Sequence, residues 1–108
     1  MEGAFWPFAA ARTALVSVLC EYRALYFDAP MYLVGSAAVR DSDVGDLDVV
    51  VVLEDDLYRV CYPVKDLWFR DCAKQSRELT LRVGYRVDFK VQCESDFWSV
   101  EGVRVRLC

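Results

Sequence analysis

No histidine occurs in the 108 residues of this chain. That absence removes imidazole-driven serine or cysteine nucleophiles and any mixed Cys/His zinc site. Glycine and proline are scarce, at five and three, and no segment is repetitive or of low complexity, which sets collagen-like and linker-like chains aside. No apolar run approaches the roughly 20 residues that a membrane helix needs, and no basic segment precedes the first apolar stretch, so neither a membrane span nor a secretory leader is expected. The setting read from this is cytoplasmic. The basic residues form no run and the net charge is −4, so the electrostatic footprint of a protein that grips long nucleic acid by itself is missing. Five cysteines, Cys20, Cys61, Cys72, Cys93 and Cys108, are odd in number and widely spaced. They read as reduced, mostly buried thiols.

What is present supports a single folded domain over residues 1–108. Hydrophobic residues make up 56% and charged residues 28%, a balance that buries a core and argues against disorder. Pro7 can open a helix, and Leu15, Val18, Leu19, Tyr22, Leu25 and Tyr26 recur at spacings of three and four, which predicts a first helix from Pro7 to Phe27. Asp28-Ala29-Pro30 should end it, because proline restricts the residue before it and donates no hydrogen bond. Met31 to Val34 then reads as a short strand, 37–45 as a small helix or loop, and Asp46 to Leu53 as a second strand. Alternation along that strand places Asp46, Asp48, Val50 and Val52 on one face and Leu47, Val49, Val51 and Leu53 on the other. It should be covered on both sides except at its acidic start.

Further along, Glu54-Asp55-Asp56 reads as a surface loop, and Pro63 followed by Leu67, Trp68, Cys72 and Ala73 predicts a second amphipathic helix to about Glu78. Leu79, Leu81 and Val83 alternate with Thr80 and Arg82, and after Gly84 the alternation resumes through Tyr85, Val87, Phe89 and Val91. Both stretches predict strands, with Asp88 on the polar face of the later one. Val103, Val105 and Leu107 alternate with Arg104 and Arg106 in a last, edge strand. Trp98 is expected to plug the core.

The chemistry concentrates around Val34-Gly35-Ser36, followed after nine residues by Asp46-Leu47-Asp48. Aspartate is depleted in strands because its short charged side chain resists burial, so Asp46, Asp48 and Asp88 each ask for a reason. Three aspartates on one sheet face repel one another unless cations or arginines lie between them. Two divalent cations relieve that, and a glycine turn leaves backbone N–H groups free for phosphate oxygens. The pattern points to metal-assisted phosphoryl transfer. A calcium loop over Asp41, Asp43 and Gly45 fails on spacing, since the glycine comes one position early and Val52 stands where the last acidic ligand belongs. The Gly35 turn is no Walker loop, since no Gly-Lys-Ser/Thr follows.

These residues resemble the catalytic core of the DNA polymerase beta-like nucleotidyltransferase superfamily, whose signature is an apolar residue, Gly-Ser, a short linker, Asp-apolar-Asp-apolar, and a third acid on a later strand. The match runs through Val34-Gly35-Ser36, Asp46-Leu47-Asp48-Val49 and Arg86-Val87-Asp88, over about Met31 to Phe97. Val44-Gly45-Asp46-Leu47-Asp48-Val49 and Arg86-Val87-Asp88 look especially like the palm of family X polymerases, at the scale of a minimal nucleotidyltransferase. The resemblance implies an α+β, two-layer fold with a small mixed β-sheet backed by two main helices. It implies Mg²⁺, with Mn²⁺ as the substitute, on Asp46, Asp48 and Asp88, with Asp88 also deprotonating the acceptor hydroxyl. Gly35 and Ser36, with Arg40, would meet the NTP, and an NMP would pass to a protein, an RNA 3′ end or a small molecule as pyrophosphate leaves. Some minimal relatives act on a HEPN-type toxin, which makes a protein acceptor supplied in trans one expectation. A terminal transferase on nucleic acid, motivated by Arg82, Arg86, Arg104 and Arg106, is not favoured by the charge. Relatives carry an arginine and a second glycine soon after Gly-Ser, where this chain has Ala37-Ala38-Val39-Arg40. That departure motivates the alternative, a catalytically silent nucleotide- or protein-binding module on the same fold.

Overall fold

The computed structural model describes residues 8–39 and 45–108, with side chains from residue 10 onward. Pro7, Arg40, Asp41, Asp43 and Val44, all invoked above, lie outside the described residues. Helix α1 (Phe8–Tyr22) buries Ala11, Leu15, Val18, Leu19 and Tyr22. It tightens into a 3₁₀ turn, Arg23–Tyr26. The change to about three residues per turn keeps Tyr26 buried but swings Leu25 outward, to 64% exposure. Phe27 and Asp28 are both left-handed, at φ 59° and 57°, and the Asp28 N–H returns to the Arg23 carbonyl at 2.8 Å. The chain thus stops being helical just ahead of Pro30.

Four strands follow: β1 (Met31–Val34), β2 (Leu47–Leu53), β3 (Val87–Cys93) and β4 (Val105–Arg106). They form a mixed sheet in the order β3-β2-β1-β4. β1 is antiparallel to both β2 and β4, whereas β2 and β3 run parallel. A parallel pair needs a long crossover, supplied by α3 (Asp55–Cys61) and α4 (Lys65–Val83). Leu47, Val49, Val51 and Leu53 join Met31, Leu33, Val87, Phe89 and Val91 on the face that meets α1 and α4 in the main core. On the opposite face, Val50 and Val52 are sealed by Phe97, with Tyr32 and Val34 packed alongside. Phe97 belongs to α5 (Glu94–Ser99). The fold class therefore agrees with the α+β, mixed-sheet reading.

Four expectations are overturned. Residues 79–83 are helical: Cys72, Gln75, Leu79 and Val83 form one buried stripe of α4, whereas Leu81 is 79% exposed. A helix whose apolar residues fall at 79 and 83 also satisfies a two-residue alternation, and Gly84, left-handed at φ 77° and closing α4, is a C-cap rather than a strand interruption. Glu54-Asp55-Asp56 is no loop, since Asp55 and Asp56 occupy the first turn of α3, where carboxylates meet the positive end of the helix dipole. Asp55 Oδ1 also accepts the Ser95 N–H at 3.0 Å, which holds its carboxyl below the usual aspartate range. Trp98 is 54% exposed, and Phe97, one position earlier, plugs the core. Of the five cysteines only Cys72 is buried.

The outer edge of β3 is closed by α4. Thr80 Oγ1 accepts the Val87 N–H at 2.9 Å and lies 3.3 Å from the Val87 carbonyl. Ser76 Oγ does the same for Phe89, at 2.8 and 3.3 Å. Trp68 Nε1 donates to the Val91 carbonyl at 2.7 Å, and the Val91 N–H meets Cys72. Residues 68, 72, 76 and 80 recur every fourth position, about 6 Å of helix rise, against about 6.6 Å for two strand residues. The stripe tracks the strand nearly in step and satisfies every outward-facing backbone group of Val87, Phe89 and Val91. Burial in this seam pushes the Cys72 thiol up to about 11. Among the described residues, no helix is long and apolar enough to cross a membrane.

Two outcomes are expected from urea unfolding. Ser76→Ala and Thr80→Val should each cost about 1–3 kcal/mol, because each orphans a strand N–H and its carbonyl. Leu79→Ala should cost about 3 kcal/mol while Leu81→Ala stays within about 0.5, a contrast that a strand with both residues on one face would not give.

Candidate functional site

Asp48 and Asp88 are partners in the parallel β2–β3 register, and Val34 faces Asp48 across the antiparallel β1–β2 pair. Val34, Asp48 and Asp88 therefore form one row across the sheet, on the face turned away from α1 and α4. The row is a product of strand periodicity: core residues at 47, 49, 87 and 89 force 48 and 88 outward together. Val34, Asp48, Val50, Asp88, Lys90 and Gln92 line a hollow of about 260 Å³.

Two close carboxylates are electrostatically costly. Partial burial, then the charges of Asp88 and Asp46, push the Asp48 carboxyl above its ordinary value of 3.8, with Lys90 acting weakly the other way. Lys90 Nζ sits 3.3 Å from Asp88 Oδ2. Asp46 stands just before β2, where the Leu47 N–H donates to the Arg86 carbonyl at 2.9 Å. Among the described residues Asp46 Oδ1 is buried without a hydrogen bond, and Arg86 Nε lies 3.6 Å from it. The structure thus brings Asp48 and Asp88 together with Asp46 near enough to act on Asp48. It does not close a triad: among the described residues, no three acidic, histidine or cysteine side chains form a metal-holding group.

Gly35 completes the row. Its φ is +70°, and a Cβ built on it would lie 2.6 Å from Asp48 Oδ2. The positive φ favours glycine here, and an added Cβ would push the Asp48 carboxylate aside. Its carbonyl accepts the Ala38 N–H at 3.1 Å, starting the short helix α2 (Ser36–Val39), with Ser36 exposed at its first position. Arg40, expected near the nucleotide, lies outside the described residues.

Beside the acidic hollow, and sharing Val34, Val50 and Gln92 with it, is an apolar groove of about 360 Å³ whose far wall is formed by residues 100–104. Arg104 shapes that wall. Its guanidinium lies 4.8 and 4.9 Å from the rings of Phe97 and Trp98 and donates to the carbonyls of Phe97, Val100 and Gly102. Lys90, Gln92 and Phe97 are site residues that the sequence reading misses, and Arg104 enters it only as one of four arginines weighed for nucleic acid. The period-two spacing from Asp88 is a signal for Lys90 and Gln92, whereas nothing local marks Phe97 or the carbonyls that Arg104 gathers. The four arginines weighed for nucleic acid do not form one free basic face: Arg82 pairs with Glu21 at 2.8 Å, Arg86 with Asp46, Arg104 with three carbonyls, and Arg106 Nε with the Cys108 carbonyl at 2.9 Å.

The Asp48 and Asp88 carboxylates are hard oxygen donors of the kind a divalent cation of the Mg²⁺ type takes, one or two at a time, completing its shell with water and substrate phosphates. Set against protein-family models, curated proteins and solved structures, the chain matches none.

Asp48→Asn should stabilise the protein at neutral pH by about 0.5 kcal/mol, after allowance for solvent screening. The sign follows from the raised folded-state pKa: the unfolded chain ionises first, so stability is lost as pH rises from about 3.8 through the higher folded value. Unfolding midpoints across that range should converge for the two proteins at the acid end. Gly35→Ala should cost about 1–3 kcal/mol. Combined with Asp48→Ala the cost should shrink without vanishing, because the collision goes while the positive φ remains.

Proposed function

We propose that this chain is a Mg²⁺-dependent nucleotidyltransferase of the polymerase beta-like type, moving an NMP from an NTP to an acceptor hydroxyl. The observation that carries the reading is the in-register Asp48–Asp88 pair beside the left-handed turn at Gly35. Asp48 and Asp46 would hold the cation, with Asp88 contributing to it and accepting the proton of the attacking hydroxyl. When bound, Mg²⁺ supplies neutralisation of the triphosphate charge and polarisation of the α-phosphoryl group. The acceptor oxygen bonds to the α-phosphorus, the bond to the bridging oxygen breaks, and pyrophosphate leaves. Lys90 adds a positive charge beside Asp88, Gly35 lets the triphosphate approach the backbone, and the apolar groove offers a wall to the nucleoside. The acceptor comes in trans in a cytoplasmic setting. A protein hydroxyl fits the net charge of −4 better than long nucleic acid, and a HEPN-type toxin is the kind of partner that the family resemblance brings forward.

A second reading, a silent nucleotide- or protein-binding module, is favoured by one observation. Asp46 and Asp88 already face cations of the chain itself, Arg86 and Lys90.

Transfer of α-labelled NTP with Mg²⁺ into a lysate of the host tests the proposal. Label should enter a discrete protein or RNA band and fall by roughly 100-fold or more in Asp46→Asn/Asp48→Asn and after chelation. Tight Mg²⁺-NTP binding without label or pyrophosphate would establish the silent module instead.

A further inference from the structure

Cys108 lies two residues beyond the end of β4, and its backbone is paired with β1: its carbonyl accepts the Met31 N–H at 3.3 Å, and its own N–H faces the Met31 carbonyl at 3.4 Å. That pairing carries the side chain over α1, where its Sγ lies 3.9 Å from the Val16 carbonyl and 3.0 Å from the Sγ of Cys20. The two sulfurs are held from different elements, 88 positions apart in sequence, and are separated by only about 1 Å more than the roughly 2.05 Å of a covalent disulfide. Cys20 is exposed, so a small oxidant can reach it. Of the remaining thiols, Cys72 is buried and Cys93 lies 3.7 Å from Ser95 Oγ.

We propose that Cys20 and Cys108 form a site of reversible disulfide formation that fastens the β4 edge to α1. In the presence of a low-molecular-weight disulfide of the glutathione type, the Cys20 thiolate attacks one sulfur of that disulfide, forming a mixed disulfide and expelling one small thiolate. Cys108 then gives up its proton and attacks the Cys20 sulfur, forming the protein disulfide and expelling the second small thiolate. The two protein thiols lose two electrons and two protons in total, and the small disulfide is reduced to two thiols. Burial, with the adjoining Cys20 thiol, pushes Cys108 up to about 11. Cys108 is therefore the resolving thiol, and exposed Cys20 reacts first.

The consequence reaches the groove beside the acidic row. β4 pairs with β1 through Tyr32 with Arg106 and Leu33 with Val105, continued by the contacts of Leu107 and Cys108 with Met31, and the segment that leads into it, residues 100–104, forms the groove's far wall. A covalent bond at Cys108 would add a tie between α1 and the end of β4, and through β4 would steady the wall that Arg104 already braces.

The test incubates the whole protein with oxidised glutathione in mildly alkaline buffer, alkylates the remaining thiols, and maps unreduced peptides by mass spectrometry. The expected result is an intramolecular peptide joining Cys20 to Cys108. It should come with a rise in Tm on the order of 10 °C that dithiothreitol reverses, and with slower amide exchange over residues 100–104. Cys20→Ser and Cys108→Ser should each lack all three, and the mapping of the unmutated protein stands even where a variant folds poorly. Alkylation of both cysteines after oxidation would overturn the proposal. So would glutathione retained on Cys20, or a cross-link to a different cysteine or a second molecule.

Discussion

Everything at the acidic face hangs on how the free edge of β3 is satisfied. A parallel strand at the end of a sheet leaves every second N–H and carbonyl without a partner, and burying such an edge without replacements costs several kcal/mol. Here the replacements come from side chains of α4, spaced one turn apart, so the helix is fastened to the strand by polar contacts as well as by the core beneath. Because Val87 and Phe89 are the residues held, Asp88 between them inherits a fixed backbone on both sides. The position of a carboxylate on one face is thus determined by hydroxyls of Thr80 and Ser76 on a helix that never touches that face.

The row of Val34, Asp48 and Asp88 is a place where the fold accepts an unfavourable arrangement. Like charges in register would be selected against on purely structural grounds, and the chain softens the repulsion with Lys90 and Arg86 without removing it. Asp48 bears the residue of that repulsion as a raised pKa. Gly35, left-handed at the spot where Asp48 Oδ2 comes closest, leaves that carboxylate room without backbone strain.

Sequence made the sheet legible because its core is periodic without ambiguity. Met31 to Val34, the apolar run after Asp46, and the alternation through Val87 to Val91 each admit one reading, and the two faces of β2 follow from it. The first helix was equally clear up to Tyr22, after which a 3₁₀ turn redirected Leu25. Reading failed where two periods coincide. Leu79 and Val83 satisfy helix and strand alike, and Thr80, a good strand residue, serves the strand from a helix beside it. Trp98 and Phe97 were exchanged for a related reason: adjacent aromatics on a short helix differ by about 100° in direction, and only tertiary packing says which one points inward. At the site, Asp48, Asp88 and Gly35 were visible as exceptions to propensity, whereas Arg104 became visible only once the backbone carbonyls it gathers were placed.

The parallel pairing of β2 with β3 also sets a timetable for the nascent chain. Asp48 and Asp88 become neighbours only when strands forty residues apart are zipped together, after the intervening α3 and α4 have formed and docked. Loop-closure entropy makes such pairings late events in folding relative to the local β1–β2 hairpin. A chain emerging from the ribosome therefore carries Asp46, Asp48 and the Gly35 turn for some time with no second strand beside them. The acidic row is therefore assembled only once the crossover has closed.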